Sequence, residues 1–339
     1  MGFWSFLKKG VGAFDSFFIL SALSLHQFGV YQLLLSLYAI LSDFFHDVFG
    51  EIITNDLSRA VGEGREDKAK RLFFEYAAFR LGMAAVPWAA LFFGAPIVSE
   101  RYGFDLTAAL RVLSFLFIAD ALAALVALLL KLRLRFQTLA PRATAQKAVQ
   151  LLSLGSFYFF SQLGIEEIFA AQVAGALGAA IFMAPAARRS WEPWREVAAS
   201  RERYFWKIVR SYGKWAVPQS FLTDFTGKIR PWLIQLFLTT EAVGLFGVAN
   251  TFISAFKDLL PIRTVGLLLP RKTKDPAALE RFWRYATKYY VWFSSLIAVG
   301  AAAVVPAVIA ILFPKYAPSL PLFYLLLPTL PIFAFIKPM

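Results

Sequence analysis

Chemistry in this chain has to come from ionisable side chains set inside otherwise apolar stretches. Asp43, His46 and Asp47 stand at i, i+3 and i+4, so they share one face of a helix. An imidazole between two carboxylates could relay a proton or a cation near neutral pH, where histidine titrates. The plainer reading is a set of hydrogen bonds between packed helices. Farther along, Asp224 precedes Lys228 by one helical turn, and Arg230 stands just before Pro231. Arg80, Arg111, Asp120, Lys257, Asp258 and Arg263 also fall within apolar segments. At bilayer depth each such charge costs about 3 kcal/mol or more unless it is paired or hydrated. These residues are therefore expected to face an interior cavity. Lys228 and Arg230, then Arg80 and Arg263, are the groups suited to an anion: arginine matches phosphate with a planar fork, lysine with a point charge. Asp43, His46, Asp47 and Asp224 are the candidates for coupling. The competing reading is internal pairing, Asp224 with Lys228 for example, that only holds helices together.

Other chemistries find no residues to perform them. The chain has no cysteine, which removes thiolate ligands, cysteine nucleophiles and disulfides. Two histidines leave little for a metal site, and no metal or other cofactor is expected. There is no Walker-type phosphate loop, no Gly-x-Ser-x-Gly elbow and no His-Glu-x-x-His pair. The expectation is a non-enzyme. A membrane-embedded polymerase or ligase is the alternative, and the outer loops are short for holding an acceptor.

The elements that must position these charges are membrane helices. Of 339 residues, 59% are hydrophobic and 17% charged, too little charge to cover a soluble surface. Residues 121–130 and 296–313 are apolar throughout, with no polar face. Such runs suit helices spanning a hydrocarbon core of about 30 Å and are too long and uniform for a barrel. The windows are 10–27, 29–53, 74–98, 107–130, 144–164, 167–187, 213–238, 242–269, 286–313 and 317–336. The expected fold is all-α, a polytopic bundle of about ten spans. Most basic residues fall in alternate loops: Lys8 and Lys9, residues 59–71, 131–147, 188–210, 271–288, and Lys337. By the positive-inside rule those loops and both termini are cytoplasmic. The same pattern accounts for the net charge of +13 without nucleic acid. Three parts result: a six-helix bundle at 1–187, a cytoplasmic amphipathic connector at 188–212 near anionic headgroups, and a partial four-helix bundle at 213–339.

The two sides of that connector repeat each other. Phe28-Gly29-Val30 at the first hairpin is matched by Phe246-Gly247-Val248 at the hairpin of windows seven and eight. Each is followed by a Leu-x-Arg exit, Leu57-Ser58-Arg59 and Leu269-Pro270-Arg271, and by an aromatic entry at Phe73-Phe74 and Phe282-Trp283. Arg101-Tyr102 and Lys315-Tyr316 complete the match. Spans one to four thus resemble spans seven to ten, giving two pseudo-repeated halves of which the second lacks two spans. Parallel repeats of this kind belong to transporters.

The segments FGVYQLLLSLYAILSDFF, LTTEAVGLFGVANTF and LFPKYAPSLPLFYLLLP resemble the multidrug/oligosaccharidyl-lipid/polysaccharide exporter superfamily. Within it the chain looks most like polysaccharide-biosynthesis flippases that move undecaprenyl-diphosphate-linked O-antigen or capsule units, as in lipopolysaccharide assembly. That resemblance implies a multi-pass protein of the cytoplasmic (inner) membrane. Its partners would be lipid-linked oligosaccharide, membrane lipids and other polysaccharide-assembly proteins, and no nucleic acid. The diphosphate would enter a basic cavity while the polyprenyl tail stays in lipid. A cation-coupled multidrug exporter of the same superfamily is the alternative within transport.

Overall fold

The computed structural model describes residues 2–43, 49–102, 105–160, 163–212, 227–259 and 276–336. Every regular element among them is helical: α1 (Gly2–Ala22), α2 (Leu25–Ser42), α3 (Gly50–Gly62), α4 (Glu66–Tyr102), α5 (Thr107–Leu132), α6 (Phe136–Leu139), α7 (Arg142–Phe160), α8 (Ile165–Trp191), α9 (Arg230–Phe237), α10 (Thr240–Leu259), α11 (Pro276–Leu312), α12 (Leu320–Leu326) and α13 (Thr329–Ile336). Short 3-10 turns lie at Glu192–Trp194 and Pro314–Ser319. The all-α class read from the sequence is borne out. Glu66–Glu100, Thr107–Leu132, Ile165–Trp194 and Trp283–Leu312 are each long and apolar enough to cross a membrane. Among the described residues, the other windows hold shorter helices. Window 29–53 contains most of α2 and the start of α3, and window 317–336 is divided between α12 and α13, where Pro328 brings no amide to continue the ladder. Pro87 and Pro96 lie within α4 and Pro306 within α11 without ending either helix. Pro218 and Pro261 lie outside the described residues.

The chain divides into two compact units, residues 1–22 with 33–233, and residues 23–32 with 234–339. In the first, α5 packs along α8 and α4, α8 lies on α7, and α7 lies on α1. The apolar window of α5 is 61% buried, against 17% for that of α4, so α5 is the central helix. Ala119, Ala121, Ala123 and Ala127 are buried along it, and Ala171, Gly175 and Ala179 form a buried stripe on α8. Lipid tails are as apolar as leucine, so helices gain by close approach, which small residues permit. A Cβ on Gly175 would stand 2.7 Å from the Gln146 carbonyl oxygen, and one on Gly178 would stand 2.9 Å from Val149 Cγ1. Large apolar side chains point outward instead, among them Phe93, Ile97, Phe159 and Phe160. That inversion suits a lipid solvent.

Polar turns join these helices. Gly64 takes a left-handed φ of 72° after α3, and Arg65 N–H closes back on the Ala60 carbonyl at 2.9 Å. After α5 the same role falls to Leu134 (φ 54°), although its side chain disfavours that conformation. Asp105 accepts from the Thr107 amide (2.9 Å) ahead of α5, and that hydrogen bond holds its carboxyl below the ordinary aspartate range. At the basic end of this unit the connector forms part of the core. Trp194 is wholly buried and donates its indole N–H to Glu66 Oε2 (2.5 Å), on which Arg133 also closes a fork at 2.7 and 2.9 Å. Lys70 donates to the Trp194 and Val197 carbonyls at 2.5 and 2.7 Å.

In the second unit the two Phe-Gly-Val copies lie against one another. A Cβ on Gly29 would meet the Thr240 carbonyl oxygen at 1.9 Å, and one on Gly247 would meet Gln32 Cγ at 2.7 Å and Phe28 at 3.1 Å. Glycine is required at both places because backbone and side chain already occupy the space. Lys315 and Tyr316 both donate to the Leu23 carbonyl, at 2.6 and 2.9 Å, closing the end of the hairpin turn. Ala249, Ile253, Ala301, Val305, Phe323 and Leu330 make the core of this unit.

Candidate functional site

Three polar clusters lie inside the first unit. The largest joins α2, α4, α5 and α7. Arg80 is 9% exposed, and its Nη1 donates to the Tyr76 hydroxyl one helical turn earlier, at 2.8 Å. The Tyr38 hydroxyl donates to Asp120 Oδ2, and the Tyr38 ring leans on Phe117 at 4.7 Å between centroids. The Arg142 guanidinium interacts with both the Asp120 carboxylate and the Arg80 guanidinium. Among the described residues, Arg80, Arg142, Asp120, Tyr38 and Tyr76 therefore share one interior. Its two guanidiniums suit a phosphate, which arginine can grip by two parallel hydrogen bonds.

The second cluster holds Lys228. Its ammonium pairs with Asp43 and lies 3.5 Å from the Ala39 carbonyl. The Lys228 carbonyl accepts from the Ser36 hydroxyl of α2. The chain bends at Ile229, between residues 227–228 and α9. Pro231 causes this, since it has no amide to bond within the helix and its fixed φ suits a first turn. A tertiary hydroxyl serves the carbonyl where the helical ladder is interrupted.

The third cluster ties α1 to α7. Asp15 is 4% exposed; its carboxylate accepts from Lys147 Nζ at 2.7 Å and from Gln150 Nε2 at 2.9 and 3.0 Å. Lys147 also reaches Gln150 Oε1 at 3.0 Å. With both oxygens satisfied and a countercharge in contact, the carboxylate is tolerated in a low-dielectric interior.

The sequence candidates distribute unevenly over these clusters. Arg80 belongs to the first, and Lys228 with Asp43 forms the second. Arg230 is exposed at the start of α9. Arg263, His46, Asp47 and Asp224 lie outside the described residues. Asp120, Arg142, Tyr38 and Asp15 were not singled out as site residues, and Arg142 and Lys147 were assigned to a basic loop. Helix α7 begins at Arg142, earlier than the apolar window that started at residue 144, so both cations belong to the bundle. Hydropathy cannot separate a loop cation from a helix-end cation whose partner lies on another helix. The one available signal was a polar Gln150 three residues after Lys147.

The sequence profile described as "Polysaccharide biosynthesis protein" matches residues 7–271. Among solved structures, the chain is similar to one titled "Inward-facing conformation of a multidrug resistance MATE family transporter of the MOP superfamily". The TM-score is 0.69 at 13% identity, over 100% of this chain and 78% of that one. At that identity the likeness speaks for the fold. No curated protein sequence matches.

Proposed function

The chain belongs to the polysaccharide biosynthesis protein family, and from that premise we propose that it is a flippase for lipid-linked oligosaccharide. The substrate would be a sugar chain on undecaprenyl diphosphate, crossing the cytoplasmic membrane with the N-terminus of the protein inside. The observation that carries this reading is the interior group of buried Arg80 and half-buried Arg142, the latter beside the Asp120 carboxylate. Guanidinium groups are costly in a membrane bundle, so two kept near one another there suit an anionic cargo. Arg80 and Arg142 receive the diphosphate, Tyr76 and Tyr38 orient their partners, and Asp120 keeps the empty site from excessive repulsion. The Lys228–Asp43 pair is a second place where an arriving anion exchanges with a carboxylate. No bond is made or broken, so the reading is that of a carrier rather than an enzyme.

Reconstitution tests it. Proteoliposomes holding the purified full chain should move a fluorescent polyprenyl-diphosphate oligosaccharide and leave the same oligosaccharide on a neutral lipid behind. Equal movement of both lipids, or of neither, overturns the proposal. A second reading, drug export, is favoured by the likeness to a MATE transporter fold. Cationic drugs would meet Arg80 and Arg142 unfavourably. Raised drug resistance in an overexpressing strain, without lipid movement, would establish it instead.

A further inference from the structure

Residues 205–212, the helical end of the connector, have two faces of different character. Phe205 is buried, and Ile208 and Val209 pack partly against the same core. One residue aside from these lie Arg203, Trp206, Lys207 and Arg210, all exposed; Trp206 remains 51% exposed despite its size. Lys207 and Arg210 stand at i and i+3 of the helix with Trp206 beside them, and Arg203 lies two residues before its first turn, so the four adjoin one another along the chain. Residues 203–212 contain no acidic side chain. The neighbouring Glu202 approaches Lys207 at 3.3 Å, but both side chains are well exposed, and a pair of that kind contributes little.

The height of this group is fixed by α4. Tyr204 and Phe205 amides donate to Glu75 Oε2 at 3.0 and 2.9 Å, so a carboxylate from α4 closes the N-terminal end of the helix. Arg71 holds that carboxylate from its other oxygen at 2.9 Å. Trp206 meets the Phe79 ring edge-on at 6.5 Å, and Phe205 lies 4.7 Å from the same ring. Helix α4 carries no charged residue between Arg80, which follows Phe79, and Glu100. The group therefore stands where the unit passes from charged to apolar surface, the level at which tryptophan and basic residues meet lipid headgroups.

We propose that Arg203, Trp206, Lys207 and Arg210 form a docking face for anionic phospholipid headgroups. Trp206 lies at the carbonyl level of the leaflet, and the three cations meet the phosphates above it. The face is rigid because the opposite side of the helix is core, so no loop has to be ordered when lipid binds. It orients the first unit against one leaflet and stands whether or not the chain moves a lipid-linked sugar.

Native mass spectrometry of the full chain in neutral detergent, with phosphatidylglycerol or phosphatidylcholine added, tests this. Phosphatidylglycerol should bind more tightly, and Arg203→Gln, Lys207→Gln and Arg210→Gln should each weaken it about fivefold. The charge-preserving Arg203→Lys and Arg210→Lys variants should bind as the parent does, which separates a lost charge from a damaged fold. Millimolar inorganic phosphate should not displace the lipid, since it lacks the acyl part that Trp206 meets. Equal binding of the two lipids, unchanged binding by the triple Gln variant, displacement by phosphate, or tighter binding of polyglutamate than of phosphatidylglycerol would each overturn the proposal, the last in favour of an acidic protein partner.

Discussion

Replacing Arg80 with Gln removes one of the two guanidiniums that lie near Asp120 and Tyr38 in the first unit. Two opposing terms set the effect on folding. The hydrogen bond to Tyr76 (2.8 Å) is charge-assisted and stabilises by about 1.5–3 kcal/mol, whereas removing Arg80 also relieves its repulsion of Arg142. The net loss should stay near 1 kcal/mol, or about 2–4 °C in Tm. The effect on cargo is larger, because nothing offsets it. One charge-assisted contact to phosphate is worth about 1.5–3 kcal/mol, so the substrate concentration for half-maximal movement should rise about 10- to 150-fold. Asp120→Asn acts with the opposite sign. It takes from Arg142 the carboxylate beside it, which lowers Tm, but it removes the carboxylate that competes with phosphate, so cargo binding should hold or tighten. Flippase assays on proteoliposomes, with thermal melts of the same preparations, measure both quantities. A folded Arg80→Gln protein that moves diphosphate-linked sugar within twofold of the parent would refute the assignment. So would an Asp120→Asn protein that melts normally and loses cargo binding as Arg80→Gln does.

Four further outcomes follow from packing and charge. Lys147→Met strands the buried Asp15 carboxylate and should lower stability by about 3–5 kcal/mol, while the double change with Asp15→Leu should recover most of it in thermal melts. Gly29→Ala places a Cβ at 1.9 Å from the Thr240 carbonyl oxygen and should cost about 1–3 kcal/mol, whereas Gly300→Ala meets nothing within 4 Å and should be neutral or stabilising by about 0.5–1 kcal/mol. Leu134→Gly relieves a left-handed φ of 54° and should raise stability by about 1 kcal/mol, read by the same melts. For orientation, Arg203→Cys should react with impermeant maleimide only from the cytoplasmic side and Ala317→Cys only from the other. Both positions are exposed and the chain has no cysteine of its own.

Helix content and membrane character were legible because hydropathy is local and additive: a run such as 296–313 is apolar wherever the rest of the chain goes. The repeat was legible because Phe-Gly-Val recurs in plain sequence, but not its meaning. That the two copies lie against each other through Gly29, Gly244 and Gly247 follows from helices distant in sequence. The connector shows the same divide. Its basic, amphipathic character was visible, and the wholly buried state of Trp194 was not, because Glu66, Lys70 and Arg133 that fix it come from elsewhere.

Charge pairing marks the boundary most sharply. By itself the sequence determined that an interior must exist, since Arg80 and Lys228 cannot face lipid. Spacing offered Asp224 as the neighbour of Lys228, because one turn is the only contact a sequence displays. The tertiary structure brought Asp43 to Lys228, Asp15 to Lys147, and Asp120 with Tyr38 to Arg142 and Arg80. Each partner stands on a different helix, chosen by which faces pack together. Electrostatic energy depends on distance through space, and in a bundle that distance is set by small-residue seams such as Ala171, Gly175 and Ala179 rather than by position along the chain.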